Sequence, residues 1–66
     1  MTEPTVLIQL ETIEALRSLA LVNDTHPDIL RQLSTFRNHA YRSELFTPQE
    51  AVLFERIQLK VIANGS

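Results

Sequence analysis

The chain has 66 residues, enough for one small domain and too few for two. Its hydrophobic content of 44% and charged content of 21% are ordinary for a globular protein, so disorder over the whole chain is not expected. The absence of cysteine excludes disulfides and thiolate metal sites, and the net charge of −2 argues against strong general binding to nucleic acid.

The N-terminal residues carry no pattern of a targeting segment. No basic residue precedes the first apolar stretch, and Glu11 and Glu14 interrupt that stretch well before about 20 residues, the length that crosses a bilayer. We therefore expect no signal peptide and no transmembrane helix, and a cytoplasmic location by elimination.

The first apolar segment runs from Pro4 to Val22 and has hydrophobic residues nearly all round a helical wheel. We predict a helix over about residues 4–22, with one inward stripe formed by Ile13, Leu16 and Ala20. An alternative is a short strand over residues 5–10, where valine, leucine and isoleucine are crowded. Because the rest of the chain is predicted to be helical, such a strand would have to pair with another molecule.

The second segment follows a cluster of turn-forming residues at positions 23–27. One apolar stripe runs along it at steps of four, three and four: Ile29, Leu33, Phe36 and Ala40. This spacing predicts an amphipathic helix over about residues 27–43, with Thr25 and Asp28 as a weak cap pair.

The third segment has the strongest local signal in the chain. Thr47 is a helix N-cap residue, Pro48 fits the first helical position, and Glu50 completes a capping box. The helix is predicted over about residues 48–63, with Phe46 packing back on it and Asn64-Gly65 able to take the left-handed conformation that closes many helices.

These segments predict one all-α domain over residues 1–66, a small three-helix unit. Helix 2 and helix 3 form an antiparallel hairpin with helix 1 packed alongside. The predicted core comprises Ile13, Leu16, Leu19, Ile29, Leu33, Phe36, Leu53, Phe54, Ile57 and Val61.

Several apolar residues remain outside that core and are expected near water: Leu7, Leu10, Leu21, Val52 and Leu59. Exposed apolar patches usually mark association. We therefore predict a non-enzymatic protein–protein interaction module, such as a small adaptor, inhibitor or co-chaperone-type regulator, that forms oligomers or binds another protein. A polar rim is predicted from Glu14, Arg17 and Arg56.

Motifs for catalysis, cofactor binding and metal binding are absent from the sequence. His26 and His39 have no second ligand at a metal-binding spacing, no serine lies in a nucleophile motif, and no glycine-rich loop could hold a phosphate. We therefore expect no catalytic, cofactor or metal residues, no small-molecule ligand and no role at a membrane.

The alternative function is a nucleic-acid-binding regulator of the helix-turn-helix type. Helix 2 and helix 3 would form the motif, with basic contacts from Arg31, Arg42, Arg56 and Lys60. The apolar residues at positions 51–54 oppose this hypothesis, because they occupy the turns from which base-reading side chains should project.

Overall fold

The structure, a computed structural model, describes residues 4–65. Three helices and a two-stranded ribbon follow one another as β1 (Val6–Leu7), α1 (Leu10–Val22), α2 (Pro27–Arg42), β2 (Leu45–Phe46) and α3 (Pro48–Asn64). The chain is therefore a small all-α unit of three helices, as the sequence predicts. α1 packs mainly against α2, with a smaller contact to α3.

α3 contacts an aromatic ring of α2 near its start and Asn23, the residue that ends α1, near its C-terminal end. The rings of Phe36 and Phe54 meet edge to face at a centroid distance of 5.4 Å. At the far end of α3, the Asn23 side-chain amide donates to the Val61 carbonyl at 3.0 Å, and the Asn64 amide donates to the Asn23 carbonyl. The end of α3 thus lies beside the turn that precedes α2.

The ribbon corrects the predicted first helix. β1 pairs antiparallel with β2, with Val6 opposite Phe46 and Leu7 opposite Leu45. The helix predicted from residue 4 therefore begins only at Leu10. The strand alternative required pairing with another molecule, whereas the partner strand lies in the same chain.

Glu44 explains why the first helix begins at Leu10. The Ile8 N–H donates to the Glu44 carbonyl at 2.9 Å, and a Glu44 carboxylate oxygen accepts from the Leu10 N–H at 2.7 Å. The N-cap residue Gln9 makes no side-chain cap bond. A residue 34 positions away thus satisfies a backbone N–H that a helix start leaves without a partner.

Local caps define the other two helices. At α2 the N-cap is His26, whose ring Nδ1 accepts from the Asp28 N–H at 3.1 Å, so the predicted Thr25–Asp28 cap pair is wrong. At α3 the predicted capping box is present: the Glu50 N–H donates to the Thr47 hydroxyl at 3.2 Å and the Thr47 N–H donates to the Glu50 carboxylate at 2.9 Å.

The end of α3 differs from the expected left-handed closure. Gly65 has φ −90°, which residues other than glycine adopt readily. Its importance comes from a close approach, because a Cβ at this position would lie 2.3 Å from the Asn23 side-chain nitrogen. The residue in the left-handed region is Asp24, with φ 56°, in the turn after α1.

Seven of the ten predicted core residues are buried, and three are not. Leu19 and Leu53 are 41% and 43% exposed, and Ile29 is partly buried. Two residues of the ribbon region take their place, Ile8 and Phe46, at 7% and 1% exposure. Sequence periodicity within helices could not place these two in the core, because they come from the non-helical connections. The buried apolar residues are Ile8, Ile13, Leu16, Ala20, Leu33, Phe36, Ala40, Phe46, Phe54, Ile57 and Val61.

Candidate interaction surfaces

The outward side of α3 carries a row of residues that we name the α3 outer face. The row follows steps of four, three and four residues, which keep side chains on one side of a helix. It lies opposite the buried stripe of Phe54, Ile57 and Val61. Two large apolar members, Val52 and Leu59, are 50% and 62% exposed. The α3 outer face consists of Val52, Arg56, Leu59 and Ala63.

Unlike charges lie on the two sides of the apolar pair Val52 and Leu59. Counting about 100° per residue, Glu55 lies on one side of the line through Val52 and Leu59, and Arg56 lies on the other. Both side chains are exposed, and neither has an ion-pair partner among residues 4–65. The charges are therefore available to a molecule that covers the row.

The predicted residues of α1 have other surroundings. Leu10 is half-buried and packs against the core, so it is not part of an exposed patch. Leu21 is 54% exposed on the last turn of the helix. The predicted rim residues face α2: the Tyr41 hydroxyl donates to Glu14 at 3.3 Å, and Arg17 Nε donates to the Ser34 hydroxyl at 3.4 Å. These polar groups join two helices of the same chain.

A second apolar surface lies on the ribbon. Leu7 and Leu45 are directly opposite each other in the antiparallel register, and they are 59% and 51% exposed. Opposite residues in such a pair share a face of the sheet. We name these two side chains the leucine pair. The sequence predicts exposure of Leu7 but does not group Leu45 with it, because only the strand register brings the two residues together.

His39 connects α2, β2 and α3. Its ring stacks on Phe46 at a centroid distance of 4.2 Å, and its Nε2 donates to the Leu45 carbonyl at 3.0 Å. Its Nδ1 lies 3.8 Å from the Glu50 carboxylate. The pKa of Glu50 is lowered from its ordinary value of 4.5, chiefly by the Thr47 backbone N–H. Burial acts in the opposite direction, and the Thr47 hydroxyl and His39 add smaller lowering effects.

The basic residues of the alternative hypothesis lie on two helices. Arg31 is 3.7 Å from the Asp28 carboxylate, and both side chains are largely exposed. Arg42 is exposed at the end of α2, and Arg56 and Lys60 are exposed on α3. The connection between these two helices contains β2, which is paired with β1. No contact in this arrangement favours nucleic acid over solvent.

No family model, curated protein or solved structure matches the chain. Within the range 4–65, none of the helices combines the length and the apolar character that crossing a membrane requires. The same range brings no three histidine or carboxylate side chains together as metal ligands.

Proposed function

We propose that the chain is a non-enzymatic protein–protein interaction module that buries the α3 outer face against a helix of another copy or of another protein. The observation that carries the proposal is the exposure of Val52 and Leu59, 50% and 62%, on one line of a helix whose opposite stripe is already buried. Their separation of seven residues is the repeat by which paired helices interlock side by side.

The charges beside the row support a second copy in parallel orientation. If two α3 helices lie side by side with their N-termini at the same end, a two-fold axis runs along them between the two rows. Glu55 of one copy then faces Arg56 of the other on both sides of the contact. An antiparallel arrangement would instead place like charges together, which disfavours it.

The proposal is tested by replacing both apolar residues of the row, Val52→Ser with Leu59→Ser. About half of each side chain is still exposed, so each offers about 1–1.5 kcal/mol of further burial, and we expect self-association at least about tenfold weaker than in the unaltered chain. Sedimentation equilibrium from low micromolar to millimolar concentration measures the association, and circular dichroism checks that helicity is kept. Val22→Ser, on α1 at 81% exposure, is the matched control and should change neither.

Two results would contradict the proposal. Loss of helicity in the double variant would mean that Val52 and Leu59 stabilise the fold itself. Association equal to that of the unaltered chain would mean that another surface makes the contact. A chain that stays monomeric at every concentration would exclude the second copy and leave the α3 outer face for a different protein.

A further inference from the structure

The outward backbone groups of the ribbon follow from its hydrogen-bond pattern. In an antiparallel pair, opposite residues alternate between hydrogen-bonded and non-hydrogen-bonded pairs. The Ile8 N–H donates to the Glu44 carbonyl, so these two residues form a bonded pair. Leu7 and Leu45, the next pair, are therefore non-bonded, and the N–H and C=O groups of both residues point away from the ribbon.

The two outer edges of the ribbon are treated differently by the rest of the chain. On the β2 edge, the Leu45 N–H donates to the Ser43 hydroxyl at 3.2 Å and the Leu45 carbonyl accepts from His39 at 3.0 Å. On the β1 edge, the Leu7 N–H and C=O have no hydrogen-bond partner anywhere in residues 4–65. One edge is closed by side chains, and the other is open to a further strand.

We propose that the open β1 edge pairs with β1 of a second copy, antiparallel and centred on Leu7, to form a four-stranded sheet. The Leu7 N–H of each copy then donates to the Leu7 carbonyl of the other. The leucine pair of each copy, Leu7 with Leu45, lines up across the two-fold axis into one continuous apolar row. Association covers two side chains per copy that are 59% and 51% exposed in the single chain.

The uncharged β1 segment fits a second copy as the occupant, and the closed β2 edge limits further growth. Residues 4–10 contain no charged side chain, so within this range the antiparallel pairing places no like charges opposite each other. The β2 strands form the outer edges of the four-stranded sheet, and Ser43 and His39 occupy their outward groups. The assembly therefore stops at two copies through this contact. The β1 contact involves no residue of the α3 outer face, so the two contacts can be tested separately.

The test isolates this contact by working in the chain that carries Val52→Ser and Leu59→Ser. That chain should be a dimer by sedimentation equilibrium at millimolar concentration. Adding Leu7→Lys places two positive charges opposite each other at the axis, so the dimer should be lost while circular dichroism is unchanged. Adding Val22→Lys, the same charge change at an 81% exposed site of α1, should leave the dimer intact.

Amide hydrogen exchange supplies a second measurement at the backbone itself. The Leu7 amide should exchange more slowly as the protein concentration rises, whereas the Val6 amide, on the side of β1 that faces β2, should show no such dependence. If the Ser variant loses helicity, the same contact is tested in the otherwise unaltered chain by this exchange measurement and by Leu7→Lys, which should reduce the larger assemblies to dimers.

Three results would overturn the inference. They are a Val52→Ser, Leu59→Ser chain that stays monomeric while β1 is intact, a dimer of that chain that survives the added Leu7→Lys, and a Leu7 amide whose exchange rate does not change with protein concentration. A self-association that Val52→Ser with Leu59→Ser abolishes and Leu7→Lys preserves would reject the β1 contact while supporting the α3 outer face. The reverse pattern would reject the α3 self-contact and retain the β1 contact.

Discussion

The capping box of Thr47 and Glu50 shows how one short motif acts on both structure and charge. The two residues exchange hydrogen bonds at 2.9 and 3.2 Å, and the backbone bond lowers the pKa of the Glu50 carboxyl from its ordinary 4.5. His39 lies 3.8 Å from the same carboxylate and favours its ionised form. The start of α3 is thus stabilised by a negative charge at the end of a helix that prefers one.

The lowered pKa predicts a pH dependence of stability. The folded-state pKa of Glu50 lies below the unfolded value, so its contribution is present above pH 4.5 and is lost as the pH falls through the folded pKa. We expect Glu50→Gln to lower the free energy of unfolding at pH 7 by about 0.3–1 kcal/mol, because glutamine keeps the capping box and loses only the charge at the helix N-terminus. Urea denaturation at a series of pH values from 7 to 3 measures the free energy of unfolding of the unaltered chain and of the Glu50→Gln variant.

The difference between the two chains should shrink at acid pH, because the native Glu50 is then protonated as well. Thr47→Ala is the matched control: it removes the hydroxyl that accepts from the Glu50 N–H, a bond whose formation requires no charge. Its penalty should depend less on pH. A Glu50→Gln penalty that stays constant down to pH 3 would contradict the role given to the charge.

Among the helices, α2 and α3 could be predicted closely and α1 could not. The sequence predicts residues 27–43 and 48–63, and the structure has Pro27–Arg42 and Pro48–Asn64. In both, a proline and a neighbouring cap define the start within a few residues of chain. The start of α1 depends on Glu44 and on a partner strand about 40 residues away, which no local pattern contains.

The dependence of α1 on Glu44 predicts a local loss of structure. Glu44→Ala removes the acceptor of the Leu10 N–H, so we expect the free energy of unfolding to fall by about 1–2 kcal/mol, as for loss of a strong N-cap. The effect should be concentrated at the start of α1, and amide exchange of residues 10–12 should become faster. Urea denaturation measures the loss of stability, and NMR measures the exchange rates of these amides.

Glu44→Gln is the matched variant for this contact. Its side-chain oxygen still accepts from the Leu10 N–H but without the charge that favours a helix N-terminus, so its effect should be smaller than that of Glu44→Ala. Equal exchange rates for residues 10–12 in all three chains would show that the carboxylate does not hold the start of α1.

The interaction surfaces likewise could be predicted where they depend on neighbouring residues of one helix, and could not where they depend on contacts between distant parts of the chain. Val52 and Leu59 could be predicted to be exposed, because helical phase places them opposite Phe54 and Ile57. Leu10 packs on the core instead, since α1 begins at this residue and turns it inward. Leu45 is part of a surface only through its register with Leu7, and Ser43 and His39 protect its edge through contacts that spacing alone does not define.

At the scale of the molecule, apolar surface exceeds what three short helices can enclose. In residues 4–65, eleven hydrophobic side chains are buried and eleven large ones are exposed. Single exposed leucines are normal in soluble proteins. Here two groups of them stand in ordered rows, the α3 outer face and the leucine pair, and each row is compatible with a two-fold axis.

Two independent two-fold contacts predict a definite set of species. A chain that uses both the α3 outer face and the β1 edge builds assemblies larger than a dimer, since each copy then has two neighbours. Blocking either contact should leave a dimer, and blocking both should leave a monomer.

The orientation of the α3 contact gives the last prediction. Exchanging the flanking charges, with Glu55→Arg and Arg56→Glu together, should leave self-association unchanged, because the opposite charges still meet across a parallel pair. Mixed with the original chain, the exchanged chain should form few hybrid dimers, since both flanks of a parallel hybrid bring like charges together. Native mass spectrometry counts the hybrid dimers in mixtures in which both chains carry Leu7→Lys, which removes the β1 contact.

An antiparallel α3 pair would give the opposite result. In that orientation position 55 of one copy faces position 55 of the other, and position 56 faces position 56, so a hybrid brings opposite charges together. Hybrid dimers would then exceed the half that random pairing gives.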